Sequence, residues 1–201
     1  YALLFRMTEE NLSQLLTRVR QCQLCQSELP LPARPILQCS DQSKILIAGQ
    51  APGSITHEKG IPFDDASGNR LREWLGVDRE AFYNAEKFAI IPMGFCYPGK
   101  GKSGDLPPIP RCAATWRQHL LDRLANIELT IIVGKYAIAW HLNSKQSVTA
   151  EAMRWQELLQ NNQLVLPHPS PRNNLWLQRH PWFEQEVIPA LKTKVYNILN
   201  K

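Results

Sequence analysis

Apolar residues along this chain fall into two patterns. Short unbroken runs occur at Ile45-Leu46-Ile47-Ala48, Phe88-Ala89-Ile90-Ile91, Leu129-Thr130-Ile131-Ile132-Val133 and Gln163-Leu164-Val165-Leu166. Such short runs, rich in β-branched residues and lacking an alternating polar face, indicate strands buried on both sides, as in a parallel sheet. Between the runs, apolar positions recur at helical spacing: Leu12, Leu15, Leu16 and Val19 form one stripe, and Leu71, Trp74 and Leu75 another. A first helix is expected over residues 8–21, capped by Thr8, with Glu9 and Glu10 at its positive end. Further helices are expected from Ser67, over 111–124, after Gly134 and over 148–159. Pro181 suits the first turn of a terminal helix, which Pro189 should kink or restart. Residues 22–38 contain Pro30, Pro32 and Pro35 and should form an irregular arm; 50–66 should be a loop, and 97–110, rich in Gly and Pro, a long excursion. Strands alternating with helices predict an α/β fold: a three-layer α/β/α sandwich on a mostly parallel four-stranded sheet. One domain is expected over 1–201, with an N-terminal helix and cysteine-containing arm over 1–43.

A parallel sheet aligns the loops after its strands along one edge, where open α/β folds bind ligands. Gly49-Gln50-Ala51-Pro52-Gly53 follows the first strand. Two glycines and a stiffening proline give a turn with exposed main-chain N–H groups, suited to a planar polar ligand. His168-Pro169-Ser170-Pro171-Arg172-Asn173 follows the last strand. Its prolines fix a loop from which Ser170 and Arg172 can meet phosphate and His168 can donate to a developing anion. Gly101-Lys102-Ser103 mimics the end of a phosphate-binding loop, but Cys96 stands where the first glycine must be, and Pro107-Pro108 cannot open the helix that should follow. That excludes a P-loop nucleotide triphosphatase.

A formal charge of +5 permits an anionic partner without requiring one. No apolar run approaches the roughly 20 residues of a membrane span, and Tyr1 to Arg6 are too short for a signal peptide. A cytoplasmic protein, monomeric and with no membrane partner, is expected. In that compartment five cysteines point to metal or catalysis before disulfides. Cys22 and Cys25, with Cys96 and Cys112, offer four thiolates from two regions for one metal centre, zinc or iron–sulfur by spacing alone. Cys39 has no spaced partner and should be a buried apolar residue.

Taken together these motifs resemble the uracil-DNA glycosylase superfamily, from about Cys22 to Asn174. The first and last loop motifs look like the superfamily's own, and the four cysteines resemble its iron–sulfur families, four and five. The resemblance implies a DNA glycosylase of base-excision repair acting on DNA that contains uracil or another deaminated base. It also implies a structural four-iron, four-sulfur cluster on Cys22, Cys25, Cys96 and Cys112, with zinc as the alternative. The chain departs from the pattern at three places: Ala51 stands where several families have a catalytic Asp or Asn, Gln50 where family four has Glu, and Pro92 where an Asn commonly reads uracil. These departures look more like family five, in which an Asp in a segment like Pro62-Phe63-Asp64-Asp65 is the proposed catalytic carboxylate. Asp65 and His168 are therefore the expected catalytic pair, with Asp64 second to Asp65. Gly49, Gln50, Ala51, Pro52, Gly53 and Phe63 are expected to hold the base, and Ser170, Arg172 and Asn173 the DNA, helped by Tyr97, Lys100 and Lys102. Two other readings stay open: a nucleic-acid-binding relative without catalysis, and an enzyme acting on a free nucleobase derivative.

Overall fold

The computed structural model describes residues 10–102 and 104–201. Its centre is a parallel four-stranded sheet of β1 (Ile45–Ala48), β2 (Phe88–Ile90), β3 (Leu129–Val133) and β4 (Gln163–Leu166), in the order β2-β1-β3-β4. The α/β sandwich expected from the apolar runs is the fold observed. Alternate residues of each strand point to opposite faces, which explains why the runs have no polar side. Ile45, Ile47, Ile131 and Leu164 pack against Leu71, Trp74, Leu191 and Val195 of helices Ala66–Leu75 and Ile188–Leu199. Leu46 and Ala89 face the other layer, onto Leu15, Leu16 and Val19 of helix Leu12–Arg20 and onto Trp116 and Leu120. Ala48, Ile132 and Val165 continue that second face against Ala137, Ile138 and Ala152. Burying each large apolar side chain this way contributes about 1.5–3 kcal/mol relative to exposure. Cys39 is buried within the second face, as expected.

Several boundaries differ from expectation, each for a local reason. The first helix begins at Leu12. Asn11 caps it, accepting from the Gln14 N–H at 3.0 Å while Gln14 Oε1 accepts from the Asn11 N–H at 3.0 Å. Thr8 and Glu9 lie outside the described residues, and Glu10 pairs with Arg18 at 2.8 Å. The expected loop 50–66 contains a short helix, Ser54–Lys59, whose sequence has no apolar stripe to betray it. The expected helix 148–159 is two, Val148–Met153 and Trp155–Gln160, separated at Arg154, which pairs with Glu151 at 2.8 Å and Glu157 at 2.7 Å. Pro189 lies in the first turn of Ile188–Leu199, directly after a π-helical turn at Phe183–Val187, so it restarts the helix. Another π-helical turn, Ala113–Arg117, follows the helical turn Pro110–Cys112. No described helix is long and apolar enough to cross a membrane.

Candidate active site and cysteine cavity

The loops after β1, β2 and β4 enclose one cleft of about 640 Å³, within the usual range for a small-molecule site. Gly49 to Gly53 line it together with Phe63, Asp65, Pro92, Asp105, His168, Ser170, Arg172 and Asn173. The expected catalytic pair and the expected base-holding residues therefore share one cavity. β1 and β4 are not neighbours, however; β3 lies between them. Their loops still meet because β3 turns through Gly134 (φ +83°) straight into helix Lys135–His141, leaving no long loop in between.

Main-chain hydrogen bonds build the floor of the cleft. The Met93 and Gly94 N–H groups donate to the Gly49 and Gln50 carbonyls at 2.8 and 2.9 Å, fastening the turn after β1 to the one after β2. The Gln50 amide donates to the Leu106 carbonyl at 2.8 Å. One hydrogen of its N–H₂ thus helps to hold the excursion. Ala51 and Pro92 present no polar side chain to the cleft.

Phe63 and Asp65 are placed by the start of helix Ala66–Leu75. Phe63 has φ +54°, a left-handed conformation costly for a bulky residue. The Pro62 carbonyl accepts from the Tyr83 hydroxyl at 2.9 Å and the Phe63 carbonyl from Arg72 at 3.2 Å, which holds the strained turn. Asp65 is the N-cap, its Oδ1 accepting from the Gly68 N–H at 2.9 Å. Capping engages one oxygen of its carboxylate. Asp64 does not line the cleft: it pairs with Arg79 and, at 3.1 Å, with Lys59. The Arg79 hydrogen bond, then that of Lys59, holds its carboxyl below the ordinary carboxylate range. Asp64 is thereby removed as the second catalytic candidate.

His168 follows β4. Its carbonyl accepts from the Asn173 amide at 2.7 Å, so Asn173 shapes the loop from within. Ser170 caps the turn Pro171–Asn173, its hydroxyl accepting from the Arg172 N–H at 3.2 Å. Arg70 ties the loop to helix Ala66–Leu75, donating to the Ser170 carbonyl at 3.1 Å and the Asn174 side chain at 2.8 Å. The His168 side chain reaches solvent through the cleft while protein crowds its other sides. The residue is exposed, yet desolvation by the protein packed around its ring lowers its pKa below the ordinary histidine value, with Asp65 and Asp105 opposing that shift and Arg172 adding to it. That shift favours the uncharged ring, which can donate one N–H. Arg172 is exposed, and its guanidinium lies beside Gly104.

The excursion after β2 holds both a correction and an omission. Tyr97 is buried and packs near His57, so it cannot stack on an exposed base. Lys100 and Lys102 are exposed. Asp105, which lies within the Gly- and Pro-rich excursion and was not among the expected site residues, faces the cleft. No local pattern singles it out; only the fold of the excursion brings it there.

The four expected ligands, Cys22, Cys25, Cys96 and Cys112, line a second, largely apolar cavity with Trp116, Phe95 and Arg111. The Trp116 indole N–H donates to Cys22 Sγ at 3.3 Å and the Phe95 N–H to Cys112 Sγ at 3.3 Å. Burial pushes the Cys96 thiol up to about 11 and the Cys112 thiol up to about 12; it also raises that of Cys25, with Arg111 opposing. Burial thus disfavours the thiolates that a cationic centre would stabilise. Among the described residues no group of three or more His, Cys, Asp or Glu is spaced to hold a single metal ion. A tetrahedral zinc, with Zn–S bonds of about 2.3 Å, needs tightly converging sulfurs, whereas a cubane cluster takes four thiolates around a larger body. Four thiols around one largely apolar cavity are the donor set that a thiolate-ligated centre takes.

Arg117, fully buried at the end of the π-helical turn, links the cavity's helix to the cleft. It donates to the Ile91 carbonyl at 2.6 Å and the Pro92 carbonyl at 2.8 Å, and it contacts His141 Nε2 at 2.7 Å. Burial, then the Arg117 charge, lowers the His141 pKa to about 3. The folded state keeps His141 neutral, whereas the unfolded chain protonates it below its ordinary value of about 6.5. The contribution is complete above that pH and is lost as pH falls toward 3. Urea midpoints are expected to fall between pH 7 and 4.5, and His141→Gln should flatten that slope. An unchanged slope would assign it to other groups, His168 first.

A protein-family model described as the uracil DNA glycosylase superfamily matches residues 37–192, more than three quarters of the chain.

Proposed function

The chain belongs to the uracil DNA glycosylase superfamily, whose members are generally DNA glycosylases, and on that premise we propose that it hydrolyses the N-glycosidic bond of uracil or another deaminated base in DNA. The observation carrying this reading is the meeting of Asp65 and His168, from loops after β1 and β4, in a cleft of about 640 Å³ also lined by Phe63 and the Gly49–Gly53 turn. A duplex hides this bond, so the nucleotide must leave the stack and enter a pocket. Phe63 supplies an aromatic surface for the base. As the bond breaks, the base takes the electron pair. The neutral His168 N–H and the main-chain donors of the first motif stabilise that charge. The sugar becomes oxocarbenium-like, and the free oxygen of the Asp65 carboxylate stabilises it. Ser170 and Arg172 stand at the same edge to meet the backbone phosphates. The Asn173 amide, which donates to the His168 carbonyl, acts by holding the loop.

Asp65→Asn tests the chemistry cleanly, because Asn is as good a helix cap as Asp. The variant should keep its stability and DNA affinity, while single-turnover base release slows at least tenfold, about 1.4 kcal/mol of barrier. A duplex and single-stranded panel carrying uracil, hypoxanthine or xanthine is the assay. The competing reading, binding without chemistry, draws on Ala51 and Pro92. DNA binding with no abasic product from any substrate would establish it and displace ours.

In the same reading Cys22, Cys25, Cys96 and Cys112 hold a four-iron, four-sulfur cluster that joins the N-terminal arm to the loop after β2 and to the helix opening at Pro110. When bound, the cluster supplies a cross-link and no step of the hydrolysis. Anaerobically purified protein is expected to be brown, with broad absorption near roughly 400 nm and about four irons per chain. Colourless protein with one zinc per chain would replace the cluster by zinc.

A further inference from the structure

We propose that Asp105 is a further catalytic residue: its carboxylate takes the proton from the attacking water. This rests on the glycosylase reading above. The Asp105 side chain faces the cleft, with Oδ2 only 3.4 Å from where a Cβ on Gly53 would sit, so it stands against the end of the first motif. Its position is held from both sides. The Leu106 N–H donates to the Gly99 carbonyl at 2.8 Å, Asp105 forms an antiparallel bridge with Lys100, and the Gln50 amide grips the Leu106 carbonyl at 2.8 Å. A carboxylate on a pinned main chain is preorganised. Yet among the described residues it has no side-chain hydrogen bond or ion pair, even with the Arg172 guanidinium close to neighbouring Gly104. The other acids of the region are engaged, Asp65 through one oxygen as a helix cap and Asp64 in two ion pairs.

An acid at the mouth of a cleft that must accept polyanionic DNA weakens binding, and no side-chain interaction among the described residues explains it. Hydrolysis supplies a use. The water oxygen bonds to C1′ as the C1′–N bond breaks. The electron pair leaves with the base, held by His168. The water proton passes to Asp105 and from there to the departed base or solvent. The products are a free base and an abasic sugar. Asp65 facing the sugar cation and Asp105 facing the water divide two tasks that one half-engaged carboxylate performs poorly together.

The test is single-turnover base release by Asp105→Asn and Asp105→Ala on duplexes carrying uracil, hypoxanthine or xanthine, beside DNA affinity and thermal midpoint. Release should slow by about 100-fold, the lower range for a positioned base, with the midpoint unchanged and affinity equal or tighter, because a repulsive charge is gone. Added formate should restore part of the Asp105→Ala rate, which a merely structural role would not allow. A rate within about twofold of wild type, or slowing accompanied by weaker DNA binding and a lower midpoint, overturns the inference. If wild type and Asp105→Asn are equally active while Asp65→Asn is slow, only the inference falls. If wild type releases no base from any of the three substrates, the glycosylase reading falls and the inference with it.

Discussion

Replacing His168 by alanine is expected to slow single-turnover base release by about 10²–10³-fold, about 2.7–4 kcal/mol of barrier. The ring lines the cleft, and the protein packed around it lowers its pKa below the ordinary histidine value, which favours the uncharged donor form. A preorganised donor costs little reorganisation when charge develops on the leaving base, so its removal acts on the transition state more than on binding. The surrounding loop should survive, because the Asn173 amide holds the main-chain carbonyl of His168, not its side chain. DNA affinity should therefore change little. His168→Gln, which retains an N–H donor, should recover part of the rate. A loss smaller than tenfold would transfer anion stabilisation to the main chain of Gly49–Gly53.

The second large effect is structural. Gly68→Ala is expected to destabilise the protein by about 3 kcal/mol, the upper range for overpacking. A Cβ there would lie 1.6 Å from the Phe63 carbonyl oxygen and 2.5 Å from its carbonyl carbon. Both are main-chain atoms that cannot rotate aside. The loop that must give way carries Phe63 at φ +54° and delivers Asp65 to its cap. Thermal midpoint should drop by roughly 6–12 °C for a chain of this size, and base release should fall with it, because Phe63 and Asp65 move together. A variant of wild-type stability would mean that the turn around Phe63 relaxes freely. The same Gly68 N–H that Asp65 caps thus belongs to a residue that admits no side chain, which ties the loop from Phe63 to Asp65 to one geometry.

The two effects differ in how far the sequence revealed them. His168 was legible because it follows an apolar run and is flanked by Pro169 and Pro171, features that survive without knowledge of any contact. The need for glycine at 68 was not, because it comes from the path of Phe63, five residues away, bending back over the helix start. Asp65 lay in between. Its position before an expected helix made it both cap and catalytic candidate, and the structure assigns it the cap through one oxygen while leaving it in the cleft. Asp64 and Tyr97 were misjudged for one reason: what engages them, Arg79 and Lys59 for the first and burial beside His57 for the second, depends on chain segments that local pattern does not align.

The sequence by itself determined the sheet and its layers. Strands buried on both faces are apolar at nearly every position, and helices covering them are apolar on one side, so the pattern along the chain is enough to mark both. It also marked the four cysteines and the two proline-stiffened or glycine-rich turns, since these residue types are chemically or conformationally unusual wherever they fall. Only the tertiary structure decided that β3 separates β1 from β4, that the direct turn at Gly134 nevertheless lets their loops meet, and that the excursion after β2 folds back to bring Asp105 beside Gly53. Only it showed Arg117 buried without a carboxylate partner among the described residues, bridging the helix that follows Cys112 to the carbonyls of Ile91 and Pro92. Such juxtapositions are settled by strand order and loop closure, which join residues tens of positions apart. A periodicity read over a few turns or a single strand carries no information at that range.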